Sequence, residues 1–189
     1  YENNEWVWGY RENDSLGGFD PYSNSKACAE LVCSAYRNSF YSKKKIGLAT
    51  ARAGNVIGGG DWSVDRLIPD ILKSVLNKSD IEIRSPKSIR PWQHVIEPVY
   101  GYLMLAENMA LVPKDFSEPW NFGPNDFDAK SVEYIAKYIS SKYKNKFALK
   151  SQQGDHPHEA SYLKLDISKT RSLLGWEPKW SLETALDLV

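Results

Sequence analysis

Hydrophobic residues recur at helical spacing over a long stretch near the start of the chain. Residues 26–41 contain neither glycine nor proline, and Ala27, Leu31 and Ala35 recur on one side of a predicted helix. Asp20 is of a residue type that caps helices, and Pro21 suits a first turn, where a missing N–H costs nothing. The pattern therefore predicts a helix from residue 21 to about residue 41.

Three short segments have the pattern of strands. Residues 46–52 form a mostly apolar run between polar flanks, which is typical of a buried parallel strand. Residues 81–84 alternate between apolar and polar types, and residues 119–124 indicate a short strand and a turn. A strand, helix, strand order of this kind favours a doubly wound α/β sheet.

The second half of the chain adds further predicted elements. A helix opens at 66–72, and another begins near Glu97 and Pro98 and ends near Met109. A third helix is predicted over 130–143, with inward positions at Val132, Ile135, Ala136 and Ile139. Short strands are predicted at 147–149 and 163–166. The last elements are a helical turn over 169–174, capped by Ser168 and ended by Gly175, and a helix that begins at Ser181.

Length and charge exclude several classes of protein. At 189 residues the chain is long enough for one domain with a sizeable core. Lysine and arginine together number 24, as do aspartate and glutamate, so no overall field favours nucleic acid or an anionic membrane. No apolar run approaches membrane-spanning length, and the acidic, aromatic start is unlike a signal peptide. We therefore expect a soluble protein with no nucleic-acid partner and no membrane partner.

The cysteines and histidines predict no metal site. Cys28 and Cys33 lie on the same predicted helix and point in different directions, so we interpret them as reduced packing residues. Reduced cysteines favour a cytoplasmic location. The 2 cysteines and 3 histidines lack the spacing of zinc ligands.

Tyr22 and Lys26 form a candidate chemical pair at the start of the first helix. They are four residues apart, so they stand one turn above the other on a single face. A free phenol has a pKa of about 10 and is a poor base at neutral pH, whereas a nearby ammonium favours the phenolate. Such a pair suits general acid/base work on the proton of a carbinol oxygen. A surface tyrosine and lysine without a chemical role are the alternative.

Segments from the first residues to the last helix carry a resemblance to a known family. The motif from Tyr22 to Lys26 resembles the active-site helix of the extended short-chain dehydrogenase/reductases, which act on nucleotide sugars. The surrounding sequence is similar to one branch of that family, the CDP-glucose 4,6-dehydratases. The similar segments are YENNEW (1–6), WGYREND (8–14), RAGNVIGGGDW (52–62), RPWQHV (90–95) and HPHEA (156–160).

This resemblance implies an α/β fold, the NAD-binding Rossmann-type fold of that family, represented by its C-terminal part with the substrate lobe. Residues 1–57 would complete the NAD-binding domain, and residues 58–189 would mainly form the nucleotide-sugar lobe. The chain has no glycine-rich phosphate loop that opens a strand–turn–helix unit. The family carries that loop upstream of the Tyr helix, so we expect the chain to begin near the middle of such a protein and to lack most of the cofactor site.

The resemblance also assigns residues to the cofactor. Tyr22 and Lys26 would be catalytic and would contact NAD. Ligands of doubly wound sheets bind beyond the carboxyl ends of the strands, where Ala53, Asn55 and Val56 lie. The backbone near Ala53 would face the nicotinamide, and Asn55 would reach the substrate diphosphate. An asparagine that forms a turn is the alternative for Asn55.

Three arginines are candidates for binding the substrate diphosphate. Arg66, Arg84 and Arg90 belong to three consecutive elements, and guanidinium groups supply the bidentate donors that suit a diphosphate. Scattered surface arginines are the alternative. The further predicted substrate contacts are Leu67, Trp92, Asn121, His158 and Glu159, and a capped loop is an equal alternative for the last two.

The implied reaction is the NAD-dependent dehydration of CDP-glucose to CDP-4-keto-6-deoxyglucose, for deoxysugar, O-antigen and lipopolysaccharide biosynthesis. Tyr22, assisted by Lys26, would remove the C4 hydroxyl proton as hydride passes from C4 to NAD. Water would then leave across C5 and C6, and hydride would return to C6. A further acid and base, and a serine or threonine, are expected upstream of Tyr1.

Two other functions stay open. One is a nucleotide-sugar 4-epimerase, or another nucleotide-sugar dehydratase, on the same scaffold. The other is a non-catalytic sugar-nucleotide-binding protein, which would not need Tyr22 and Lys26 at helical spacing. The expected assembly is a homodimer or a tetramer, because the first helix carries more apolar surface than one sheet face needs.

Overall fold

Helix α1 (Pro21–Tyr36) begins where the sequence predicts. The computed structural model describes residues 1–41, 44, 46–143, 148–151 and 160–189. The Asp20 carboxylate accepts hydrogen bonds from the backbone N–H groups of Tyr22 (2.9 Å) and Ser23 (3.0 Å), which confirms the predicted cap. Beyond α1 the chain continues helically to Tyr41, but residues Arg37–Tyr41 form a wider π-helical turn.

Strands β1 (Thr50–Ala53) and β5 (Pro119–Phe122) form a parallel pair. The prediction of a buried strand over 46–52 was wrong in its start and in its burial. Pairing begins at Thr50, opposite Pro119, and the side chain of Ile46 is 51% exposed. Alternate residues of β1 are exposed, because successive side chains of a strand point to opposite faces of the sheet.

Two further sheets complete the strand pairing. Strand β4 (Ile89–His94) lies between β2 (Asn55–Ile57), with which it is parallel, and β6 (Ala129–Ser131), with which it is antiparallel. Strands β3 (Ile81–Ile83) and β7 (Leu149–Ser151) form a separate parallel pair. The predicted strand over 163–166 is wrong: within it the chain makes only an isolated bridge, between Leu165 and Tyr10.

The remaining helices follow their predicted positions closely. They are α2 (Leu67–Leu76), α3 (Ile96–Leu111), α4 (Val132–Lys142) and α5 (Leu182–Asp187). Asp126–Asp128 form a 3₁₀ turn, and Thr170–Leu174 form a π-helical turn that Gly175 ends at φ 71°. Ser181 caps α5 as predicted, since its side chain accepts from the Thr184 N–H. Ser168 is not the cap of that turn, because residues 168 and 169 are already helical, and the Ser168 N–H donates to the Asp166 carboxylate (2.7 Å).

The buried side chains form two hydrophobic cores. One lies between β2, α2, β3, α4 and α5, and the inward face predicted for α4 is confirmed there. The other lies around β5 and consists of Leu105, Trp120, Phe122, Ile167, Leu174 and Trp176. Segments of the two cores therefore alternate along the chain. The boundary between the NAD-binding domain and the nucleotide-sugar lobe after residue 57 stays a prediction.

Helix α1 contributes little to either core. Ala27 is its one buried residue, Cys33 is half-buried, and Cys28 is exposed, so the packing role predicted for Cys28 is wrong. Within the described part of the chain, none of the helices combines the length and the apolar character that crossing a bilayer requires.

Candidate active site

Tyr22 and Lys26 stand together on the first turns of α1. The Lys26 Nζ lies 5.2 Å from the centroid of the Tyr22 ring, and both side chains are exposed, Tyr22 to 70%. The predicted proximity is thus present, and the phenol is open to a ligand.

One turn further along the same face of α1, Glu30 connects the helix to β1. The Glu30 carboxylate accepts hydrogen bonds from Arg52 Nη2 (2.9 Å) and from Thr50 Oγ1 (2.8 Å). The side chains of Arg52 and Glu30 are only 13% and 16% exposed. Burial on its own would raise the pKa of Glu30, but the hydrogen bonds from Arg52 and Thr50 outweigh burial and lower that pKa.

Arg52 also binds the N-terminal segment of the chain. Its Nη1 donates to the Tyr1 hydroxyl (2.8 Å) and to the Glu12 carbonyl (3.1 Å). The Tyr1 hydroxyl in turn donates to the Asn121 side chain (2.6 Å), and the Tyr1 ring is stacked on Tyr10. Burial is the main cause that raises the pKa of the Tyr1 phenol to about 12, so this hydroxyl stays protonated and acts as a donor.

Asn121 is occupied entirely by protein partners. It is fully buried, and its side-chain amide donates to the backbone carbonyls of Tyr10 (2.9 Å) and Asp166 (3.0 Å). Its side-chain oxygen accepts from Tyr1. This arrangement favours a structural role in joining β5 to the N-terminal segment, and the predicted substrate contact at Asn121 gains no support.

The carboxyl end of β1 meets the start of β2 beside β4. Gly54 fits there because a Cβ at this position would lie 2.4 Å from the Pro91 carbonyl oxygen. Asn55 is half-buried and pairs in register with Trp92. Ala53 and Val56 are exposed on either side.

The three candidate arginines divide into two kinds. Arg66 is the exposed N-cap residue of α2, and the exposed Arg84 forms an ion pair with the neighbouring Asp65 (2.5 Å). The structure thus brings Arg66 and Arg84 to one place. Arg90 is only 8% exposed, in β4, and its Nη1 donates to the Ile89 carbonyl (2.9 Å).

The other predicted substrate residues differ in accessibility. Leu67 is half-buried at the first position of α2. Trp92 is buried in β4, and its indole N–H donates to the Lys130 carbonyl of β6 (2.9 Å). This favours a structural role in holding the two strands together. His158 and Glu159 lie outside the described residues. No cluster of metal-binding side chains occurs among the residues that the structure describes.

Sequence reasoning did not assign a role to Glu30, Arg52 or Tyr1. A signal for Glu30 was present, because it follows Lys26 by the same four-residue interval that separates Lys26 from Tyr22. Arg52 and Tyr1 lie in segments that resemble the family, but their pairing depends on contacts between segments that are distant in sequence.

A family model described as GDP-mannose 4,6 dehydratase matches residues 7–189. The chain belongs to the GDP-mannose 4,6 dehydratase family. Two relatives show its range. CDP-glucose 4,6-dehydratase of Salmonella typhimurium is 56% identical over 100% of this chain and 54% of the relative. UDP-glucuronic acid decarboxylase 1 of Arabidopsis thaliana is 27% identical over 96% of this chain and 39% of the relative.

Solved structures place the same fold in other enzymes that resemble this member of the GDP-mannose 4,6 dehydratase family. dTDP-glucose 4,6-dehydratase from Bacillus anthracis, in complex with NAD, matches with a TM-score of 0.78 at 22% identity, over 95% of this chain and 53% of that one. A variant of UDP-glucuronic acid 4-epimerase from Bacillus cereus matches with a TM-score of 0.83 at 22% identity, over 98% and 56%. The predicted Rossmann-type α/β fold is confirmed. The chain spans about half the length, or less, of the relatives named here.

Proposed function

We propose that this chain is the C-terminal part of an NAD-dependent CDP-glucose 4,6-dehydratase. The observation that carries the proposal is the 56% identity to a CDP-glucose 4,6-dehydratase, which extends over the whole chain. The exposed pair of Tyr22 and Lys26 supplies chemistry that such a reaction needs. The product, CDP-4-keto-6-deoxyglucose, would serve deoxysugar biosynthesis.

Tyr22 is the proposed base at the C4 hydroxyl. Its phenol oxygen would take the hydroxyl proton while the C4–H bond is broken, and the ammonium of Lys26 would stabilise the phenolate that acts as base. Placing a base of this kind contributes about 10²–10⁴-fold to a rate. The exposure of Tyr22 leaves its hydroxyl free to approach a sugar.

The residues of this chain fit the nicotinamide end of NAD. Tyr22 and Lys26 would hold it from α1, and Ala53, Asn55 and Val56 would hold it from the strand ends. When bound, NAD supplies an acceptor for the C4 hydride and a donor of hydride to C6. The chain has no glycine-rich phosphate loop, so we assign the binding of the NAD diphosphate to the rest of the protein.

The substrate diphosphate is proposed to meet Arg66, Arg84 and Arg90. Arg66 stands at the N-terminus of α2, where helix N–H groups and the helix dipole favour an anion. Arg84 would exchange its ion pair with Asp65 for a contact with the phosphate. Arg90 would supply a buried charge from β4. Leu67 is proposed as an apolar wall of the same site.

The full-length protein tests this proposal. We expect it, supplied with NAD, to convert CDP-glucose in preference to the UDP, GDP and dTDP sugars. Tyr22→Phe should lower turnover by at least about a hundredfold, because the ring stays and only the proton acceptor is lost. Substrate affinity should change little. Product formation and CDP-glucose binding are the two measurements.

Tyr36→Phe is the matched control, because Tyr36 lies on the same helix and is also exposed. It should retain normal turnover. A Tyr22→Phe enzyme with near-normal dehydration would contradict the catalytic assignment, and turnover of a different nucleotide sugar alone would contradict the proposed substrate.

A further inference from the structure

We infer that the ion pair between Glu30 and Arg52 positions Tyr22 and Lys26 against the strand end that carries Ala53 and Asn55. The inference rests on the proposed function. Glu30 belongs to the helix that holds the acid/base pair, and Arg52 is adjacent in the chain to Ala53. Their contact at 2.9 Å thus joins the two parts of the proposed site.

Within the described residues, α1 has few apolar contacts with the sheet. Ala27 is the one buried side chain of α1, and an alanine provides little apolar contact. Within the described part of the chain, directional polar contacts connect α1 to β1.

The Glu30 carboxylate has the geometry for that task. Its Oε2 accepts from two side chains of the same strand, Thr50 Oγ1 (2.8 Å) and Arg52 Nη2 (2.9 Å), so Glu30 is held at one place along β1. Charge-assisted hydrogen bonds of this kind are about twice as strong as neutral ones. The guanidinium is itself fixed from the other side, by the Tyr1 hydroxyl and the Glu12 carbonyl.

Positioning differs from catalysis in its expected kinetics. Glu30 faces β1 rather than the ligand, so its loss should leave the binding of nucleotide unchanged and lower only the rate at which the bound sugar reacts. A displacement of about 1 Å costs on the order of a hundredfold in rate. Tyr22 and Lys26 would move together on one helix, so the pH dependence of turnover should keep its shape.

The experiment compares Glu30→Gln with the unmodified full-length enzyme, using whichever nucleotide sugar that enzyme converts. We expect kcat to fall by about tenfold to a hundredfold, with KM and the pH profile unchanged. Glu133→Gln is the matched control, since it removes an exposed carboxylate whose ion pair with Lys137 (2.5 Å) lies on α4. It should leave kcat unchanged.

Thr50→Val is the second variant, in case Glu30→Gln does not fold. It removes the hydrogen bond from Thr50 to Glu30 and keeps the ion pair, and we expect kcat to fall several-fold at constant KM. Normal kcat in the folded variants would overturn the inference, as would a loss of one limb of the pH profile, which would make Glu30 an acid or base in its own right. An unmodified protein that converts no nucleotide sugar would instead overturn the proposed function, and the positioning role with it.

Discussion

Arg84 and Arg90 carry the same charge in very different surroundings. Arg84 is exposed and already paired with Asp65, whereas Arg90 is almost completely buried in β4. Pro91 follows Arg90 and favours an extended backbone there, so little conformational freedom is lost when Arg90 meets a ligand. A buried, pre-organised guanidinium should therefore contribute more to diphosphate binding than an exposed one.

Arg90→Ala in the full-length protein should weaken the binding of CDP and of CDP-glucose by roughly thirtyfold or more. The reason is that losing one partner of a buried charged contact costs on the order of 2–5 kcal/mol. Calorimetric titration with CDP is the measurement, and bound NAD should stay at the normal level.

Arg84→Ala is the control for this titration, and it should change CDP affinity by much less, because exposed ion pairs contribute about 0–1 kcal/mol. If Arg90→Ala binds CDP like the parent protein, Arg90 has a structural role and the proposed diphosphate site is misplaced.

At the scale of the element, α1 carries both the candidate site residues and exposed apolar side chains. One face carries Tyr22, Lys26 and Glu30, and other positions of α1 and of the turn Arg37–Tyr41 expose large apolar side chains in this chain. Leu31 is 58% exposed, Val32 55% and Phe40 56%. We propose that these exposed apolar side chains contribute to a twofold dimer interface with the same segment of a second subunit.

Leu31→Glu should convert the full-length dimer into a monomer, because it places a charge in an apolar interface that twofold symmetry repeats in the partner. Light scattering at micromolar concentration measures the mass. Leu173→Glu serves as the control, since Leu173 is similarly exposed but lies in the turn Thr170–Leu174. A parent protein with the mass of a monomer would contradict the dimer.

Elements whose signals are local were predicted well. The Asp20 cap, the Gly175 terminator and the inward face of α4 each depend on a few neighbouring residues, and all are confirmed. The start of β1 was wrong because it depends on where β5 begins, far along the chain. Strand β6 was absorbed into the predicted helix over 130–143, because three residues give too little pattern to separate them.

The candidate site follows the same rule. The spacing of Tyr22 and Lys26 is local, so the sequence predicted their proximity. The burial of Arg90 and the ion pair of Glu30 with Arg52 depend on how distant strands meet, and no local pattern contains that information.

At the scale of the whole molecule, each of the two hydrophobic cores supports a different part of the proposed site. One core surrounds β5, beside the strand that leads to Ala53, and the other supports β4 and α2, which carry Arg90 and Arg66. We propose that the sugar is bound where these two parts meet, between the Tyr22 hydroxyl and the arginines. The rest of the protein would add the remaining cofactor site and the acid next to C6.

The fate of the hydrogen at C4 tests the central claim most directly. The full-length protein should be given CDP-glucose with deuterium at C4, and the product analysed by mass spectrometry and NMR. The proposed dehydratase predicts a product that has lost one water and carries the deuterium at C6. A sugar that has kept its water, with deuterium still at an inverted C4, would contradict the account and indicate a 4-epimerase instead.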